Sequence, residues 1–219
     1  MNFNYQKARD LMVENQLRPN KIKDPIILNL FRKKQKEVYL TEKSESLIYS
    51  DMDIGLGNHR GYLKNLHIAQ LIKHSEIKKN HKILHIGALT GYVTSLLSDL
   101  CFEVFAIEEE KMHFSILKEN IERNQIKNVK ILNESFIEGS FVNAPYDRII
   151  IDCPIVKLNK KLLNQLNNNL GQIIYIEKNQ DNLSKASKIT KNNNSFTEEF
   201  LFDVFSTYNL YEELKGFEF

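Results

Sequence analysis

Cysteine is scarce. Cys101 and Cys153 are the chain's two, they stand far apart, and no CxxC pair exists. A zinc ribbon and a thioredoxin-type redox site are thereby excluded, and so few cysteines suit a cytoplasmic protein. Charge of one sign is equally lacking. Thirty basic against 28 acidic residues leave a net charge of +2 over 219 residues, which argues against a nucleic-acid partner that needs a large basic excess. No apolar run approaches the ~20 residues that cross a bilayer. The opening Met1-Asn2-Phe3-Asn4-Tyr5-Gln6-Lys7 has no apolar signal core, so no membrane partner is expected. The HExxH pattern is absent, and His67, His74, His81 and His113 show no metal-ligand spacing, so no metal is expected either. There is no Pro/Gly/Ser-rich linker, and the chain reads as one domain over 1–219. Its parts are a helical and loop segment (1–78), an α/β core (79–178) and a C-terminal hairpin closing the sheet (179–219).

What is present is ordinary for a globular protein: 42% hydrophobic and 26% charged residues. A chain this long buries roughly 70% of its unfolded surface, so it needs neither disulfide nor metal to fold. Ala8, Leu11, Met12 and Leu17 lie at helical spacing, and Arg18-Pro19 ends that helix. Asp24-Pro25 opens a second. The stretch 49–61 reads as a glycine-bearing loop, and a helix follows over about 65–74. From Lys82 the character changes. Strands are expected at 82–86, 103–107, 128–132, 147–152 and 171–177, alternating with helices at 92–100, 111–125 and 162–166. Such alternation indicates a mostly parallel sheet with helices on both faces. Two further strands, 183–190 and 195–205, form the hairpin, whose Phe196, Phe200, Phe202, Val204 and Phe205 need a surface to pack on.

The most informative segment is Ile83-Leu84-His85-Ile86-Gly87-Ala88-Leu89-Thr90-Gly91-Tyr92. A strand runs through a glycine turn into a helix, and ligands of open parallel sheets sit at the carboxyl ends of strands. Glu108, ending the next strand, stands where an acid can accept hydrogen bonds from both hydroxyls of a ribose. The dinucleotide fingerprint GxGxxG wants glycine at 87, 89 and 92, and Leu89 and Tyr92 break it. The phosphate-cradling GxxxxGK[ST] is absent. The GxGxG of S-adenosylmethionine methyltransferases fits at Gly87 and Gly91 and departs at Leu89. The turn alone leaves open a ligand site or a plain strand-helix connection.

More of the chain bears a resemblance. Ala8-Arg9-Asp10-Leu11-Met12-Val13-Glu14-Asn15-Gln16-Leu17-Arg18-Pro19-Asn20, Asp24-Pro25, Tyr49-Ser50-Asp51, the turn at 83–92 and Ala144-Pro145-Tyr146-Asp147-Arg148-Ile149-Ile150-Ile151 resemble the protein-L-isoaspartate O-methyltransferase family, particularly its short bacterial members. The resemblance spans about residues 5–178. It implies a Rossmann-like methyltransferase fold, S-adenosyl-L-methionine as cofactor, and a protein or peptide carboxylate as substrate, with isoaspartyl residues as its class. It places the cofactor against His85, Gly87, Ala88, Leu89, Gly91, Glu108, Ser135 and Asp152. Members of the family usually carry Asp or Glu at His85, Gly at Leu89 and Asp at or beside Ser135. They also carry Ser-x-Pro before the helix at 65, where this chain has Leu63-Lys64-Asn65.

Methyl transfer to a carboxylate needs no general base, because a carboxyl group with a pKa near ~4 is already ionised at neutral pH. No Ser/His/Asp set is required, none is found, and no catalytic residue is assigned. Several residues carry two readings: His85 as cofactor contact or neutral strand-end histidine, Asp152 as pocket lining or solvated strand end, Arg60 and His59 as anion contacts or exposed loop. Cys153 reads as core, and the lysines at 33, 34, 36, 78, 79 and 82 as solvated. A degenerate, non-catalytic binding module is the alternative function. An NAD-dependent oxidoreductase ranks third.

Overall fold

The computed structural model describes residues 3–40, 45–179 and 183–211. Met1 and Asn2 of the opening segment lie outside them, as does 212–219 of the C-terminal part.

The chain begins with α1 (Tyr5–Met12), which continues as a π-helical turn over Val13–Leu17. In α2 (Pro25–Lys33), the Asp24 carboxylate accepts from the Ile26 N–H and Pro25 supplies the first helical position. A 3-10 turn at Lys36–Tyr39 follows. The stretch read as a plain loop, 49–61, in fact contains most of a small antiparallel ribbon, β1 (Ile54–Gly57) and β2 (Arg60–Tyr62). Strands this short, tightened by a register irregularity between Gly55 and Gly57, leave no run for alternation to reveal. Then come α3 (Asn65–Ser75), β3 (Lys82–Ile86), α4 (Tyr92–Ser98), β4 (Glu103–Ile107), α5 (Lys111–Arg123) and β5 (Val129–Leu132). The remaining strands are β6 (Arg148–Ile155), β7 (Asn169–Lys178), β8 (Leu183–Asn192) and β9 (Ser195–Phe205).

The large sheet has the order β5-β4-β3-β6-β7-β8-β9. Its first five strands are mutually parallel, and β8 and β9 return antiparallel. From β3 the chain winds outward through β4 to β5, then crosses back to β6 on the other side. The carboxyl ends of β3 and β6 therefore flank the point where connections diverge. Alternation sorts the strands onto two faces. Ile83, Val104, Ala106, Ile150, Ile174 and Val204 pack with the helices, while Leu84, Ile86, Phe105, Ile107, Ile149, Ile151 and Ile173 pack on the opposite side. All eight residues of β6 are buried, as expected of a strand covered on both faces.

Three expectations need correction. Residues 162–165 lie in a 3-10 turn, Lys160–Gln165, with Leu166 just after it; Leu162 and Leu166 pack on the second face beside Phe136, Tyr146 and Leu210. Asp152 lies inside β6 and not at its end, because the strand runs on to Ile155. Of the five residues expected to pack, Phe196, Phe200, Phe202, Val204 and Phe205, only Val204 is fully buried; Phe196, Phe200 and Phe205 are 45%, 55% and 67% exposed, since β9 is an edge strand.

Candidate functional site

The turn after β3 is built from unusual backbone. Gly87 has φ 84°, Leu89 52° and Gly91 98°. Gly91 sits at a φ that side chains rarely adopt, and a Cβ there would stand 2.9 Å from Leu117 Cδ1, which would have to shift, so the backbone favours glycine. Leu89 occupies the left-handed region with a branched side chain, a conformation costing roughly 1–2 kcal/mol. That side chain is buried with the helical cluster, and the Leu89 N–H donates to Glu108 Oε2 at 2.7 Å. The side chain that stands where the pattern wants glycine is thus turned into the core. Thr90 is anchored twice: Asn120 Nδ2 donates to its carbonyl at 2.8 Å, and its hydroxyl pairs with Tyr62 Oη at 2.9 Å. The Tyr62 hydroxyl also accepts from the Tyr92 N–H at 3.0 Å, capping α4 from β2.

Glu108 is fully buried at the end of β4. Arg60, read as an anion contact or an exposed loop residue, is its partner and is buried: 1% exposed, with Nη2 3.1 Å from Oε2 and Nη1 3.4 Å from Oε1. Arg60 Nη1 also donates to Glu110 Oε1 at 3.0 Å, and the guanidinium lies 4.8 Å from the Phe136 ring centroid. Burial lowers the Arg60 pKa, but Glu108, the nearby Cys153 and Glu110 outweigh it, and the net shift is upward. The Glu110 N–H donates to Glu108 Oε1 at 3.1 Å. Each carboxylate oxygen of Glu108 thus accepts two hydrogen bonds, one from Arg60 and one from a backbone N–H.

The other expected site residues fall as follows. His85, on the helical face of β3, is fully buried; Nδ1 pairs with the Thr94 hydroxyl at 2.8 Å and Nε2 with Asp152 Oδ1 at 3.1 Å. Both of its readings place it at the strand's carboxyl end, and the structure gives it two protein partners. Ala88 is buried beside Gly87. Ser135 is half-buried in the loop after β5, where its hydroxyl accepts from the Ile137 N–H. Cys153 is buried, and burial pushes its thiol pKa up, so it is core. The structure thus brings Gly87, Ala88, Leu89, Glu108, His85 and Asp152 to one end of the sheet.

Sequence reasoning missed the residues that cover this end. Leu210 Cδ1 stands 2.4 Å from where a Gly87 Cβ would be. The Leu210 N–H donates to the Pro154 carbonyl at 2.8 Å, and the Asn209 N–H to the His59 carbonyl at 3.0 Å. Tyr208 lies against Gly55 and Gly61. One signal for Arg60 was available: Glu108-Glu109-Glu110 has a single cation, Lys111, beside it in sequence and needs another from afar.

The residue types suit an adenosyl ligand: a bare glycine face, turn N–H groups, and an acid after the next strand. The arrangement does not. The four acceptor sites of Glu108 are taken and Leu210 fills the space over Gly87.

Comparison with known proteins supplies the family. A solved protein-L-isoaspartate O-methyltransferase superposes with a TM-score of 0.78 at 18% identity, covering 91% of this chain and 64% of that one. The chain thus spans just under two thirds of that structure's length. A relative from Syntrophobacter fumaroxidans named protein-L-isoaspartate O-methyltransferase 1 is 29% identical over 164 residues, 75% of this chain and 77% of its own. One from Petrotoga mobilis, named protein-L-isoaspartate O-methyltransferase, is 25% identical over 190 residues, 86% of this chain and 88% of its own. With residues 6–204 matched by the model of the protein-L-isoaspartate(D-aspartate) O-methyltransferase family, the chain belongs to that family.

Proposed function

We propose that this chain is an S-adenosylmethionine-dependent methyltransferase that esterifies a protein carboxylate, with isoaspartyl residues as the substrate class. Family membership over residues 6–204 carries the reading, and the glycine turn of β3 with Glu108 after β4 supports it. Gly87, Ala88, Leu89, Gly91, Glu108, Ser135, His85 and Asp152 are the residues proposed for the cofactor side. The nucleophile arrives ionised, so the protein's tasks are alignment and exclusion of water. A buried His85 already held by Asp152 and Thr94 suits a site that needs no free base.

Isoaspartyl turnover is expected to be slow. Where the family pattern has Ser-x-Pro, Leu63 is buried in the core and Asn65 Oδ1 accepts from Lys36 Nζ at 3.2 Å. A positioned polar group lost from a reacting centre costs on the order of 10²–10³ in rate. The test is radiolabelled methyl transfer to an isoaspartyl peptide beside a typical family member. Incorporation roughly 10²-fold slower supports the reading. Incorporation at the reference rate shows the serine and proline to be dispensable, and none at all rejects isoaspartyl residues as the substrate.

A further inference from the structure

We infer that this chain holds its own cofactor crevice shut: Arg60 stands in for the ribose hydroxyls on Glu108, the strap 208–210 covers Gly87, and a nucleoside ligand binds only by displacing both. The inference rests on the methyltransferase reading above.

Three independent contacts converge on the closure. The first is electrostatic. Arg60 is almost completely buried with both η nitrogens on the two oxygens of Glu108, and it shares Glu110. A carboxylate that accepts two N–H groups from one side chain presents them the same pair of oxygens that it would offer to two vicinal hydroxyls. The second is steric. Leu210 is 2% exposed and its methyl lies against the face of Gly87, a place on the turn where a ligand can approach the backbone without meeting a Cβ; the other glycine, Gly91, has Leu117 and Ile121 against it. The third is the tie between them. Asn209 bonds to the carbonyl of His59, the neighbour of Arg60, while Leu210 bonds to Pro154 on β6. Tyr208 packs on Gly61, the other neighbour of Arg60. Movement of the strap and movement of Arg60 are therefore one event.

The closure has identifiable means of reversal. Among the described residues the strap is held by two backbone hydrogen bonds, by Lys178 Nζ donating to Asn209 Oδ1 at 3.1 Å, and by the side chains of Tyr208 and Leu210, a small set beside the ten-residue pairing of β8 with β9 just before it. Arg60 sits on β2, a three-residue strand of a two-stranded ribbon separate from the large sheet. Gly87 and Glu108 are carried by the strand ends of the large sheet, and Tyr62 of β2 holds the turn through Thr90 and Tyr92, so opening removes the Arg60 side chain and the strap while β2 itself stays in place. Because a ligand meets only the open fraction, its apparent affinity falls by that fraction.

The experiment is calorimetric titration of the full chain with S-adenosylhomocysteine, comparing wild type with the double variant Tyr208→Ala/Leu210→Ala and with Arg60→Met. Each variant is expected to bind at least about tenfold more tightly than wild type. Hydrogen exchange on ligand-saturated wild type gives a second readout that needs no variant to fold. The amides of Asn209 and Leu210 should exchange at least about tenfold faster than in the free protein, since their acceptors are lost on opening. Equal or weaker binding by the variants, or unchanged exchange at both amides, overturns the closure while leaving the methyltransferase reading standing. If neither wild type nor the variants bind, both fall.

Discussion

Lys36 reads from its sequence context as a solvated charge, yet it is completely buried in the 3-10 turn after α2. Its Nζ lies 5.5 Å from the ring centroid of Tyr62, 5.3 Å from that of Tyr92, and 3.2 Å from Asn65 Oδ1. Burial lowers its pKa to about 7, against a smaller upward pull from Asp53. In the unfolded chain the value is about 10.4. Between those values the unfolded state holds more protons than the folded one, so stability rises with pH across this window and is lowest below it. The limiting slope is about 1.4 kcal/mol per pH unit. From about pH 7 to about pH 9 the unfolded lysine stays charged while the folded one goes from half charged to neutral, which integrates to about 2 kcal/mol. Two cation–π contacts, each worth about 0.5–2 kcal/mol, oppose the shift, so about 2 kcal/mol is an upper value. The perturbation is Lys36→Met, which keeps the stem and removes the charge. Urea unfolding of both proteins at about pH 7 and about pH 9 gives the difference curve, in which every other titration cancels. The expected result is a stability difference that moves by up to about 2 kcal/mol in favour of wild type as the pH rises. A difference independent of pH would show that Lys36 keeps an ordinary pKa in the fold and would refute the reasoning.

Three further outcomes are expected. Glu108→Ala leaves the Arg60 guanidinium buried with Glu110 as its remaining carboxylate partner among the described contacts; the cost should be about 3–5 kcal/mol by denaturant unfolding, and a loss below about 1 kcal/mol would mean the pair is solvated. Gly91→Ala, forced to φ 98° with Leu117 Cδ1 2.9 Å from its new methyl, should lose at least about 1–2 kcal/mol and lower Tm by several degrees in a thermal scan. Limited proteolysis should not release the chain from residue 180 onward from a stably folded remainder, because β8 pairs with β7 along most of its length; a folded 1–179 fragment would count against the hairpin as part of the same unit.

Local pattern determined a large part of this protein. The parallel strands read at 82–86, 103–107, 128–132 and 147–152 announce themselves as short, largely apolar runs, because strands covered on both faces carry few polar residues, although β6 continues past Asp152 to Ile155. Asp24-Pro25 marks a helix start through chemistry confined to three residues. Gly87, Gly91 and Glu108 follow from the strand-turn-helix-strand unit, whose length dictates their spacing. What only the tertiary structure decided involves partners distant in sequence. Arg60 and Glu108 are 48 positions apart, and no periodicity distinguishes an arginine in a glycine-bearing loop from one that will be buried on an acid. Lys36 looks like its exposed neighbour Lys33 until Tyr62 and Tyr92 close around it. Leu210 over Gly87 is a contact across more than half the chain. Spacing encodes which face a residue shares with its neighbours; whether a charge is buried depends on what arrives from elsewhere in the chain to meet it.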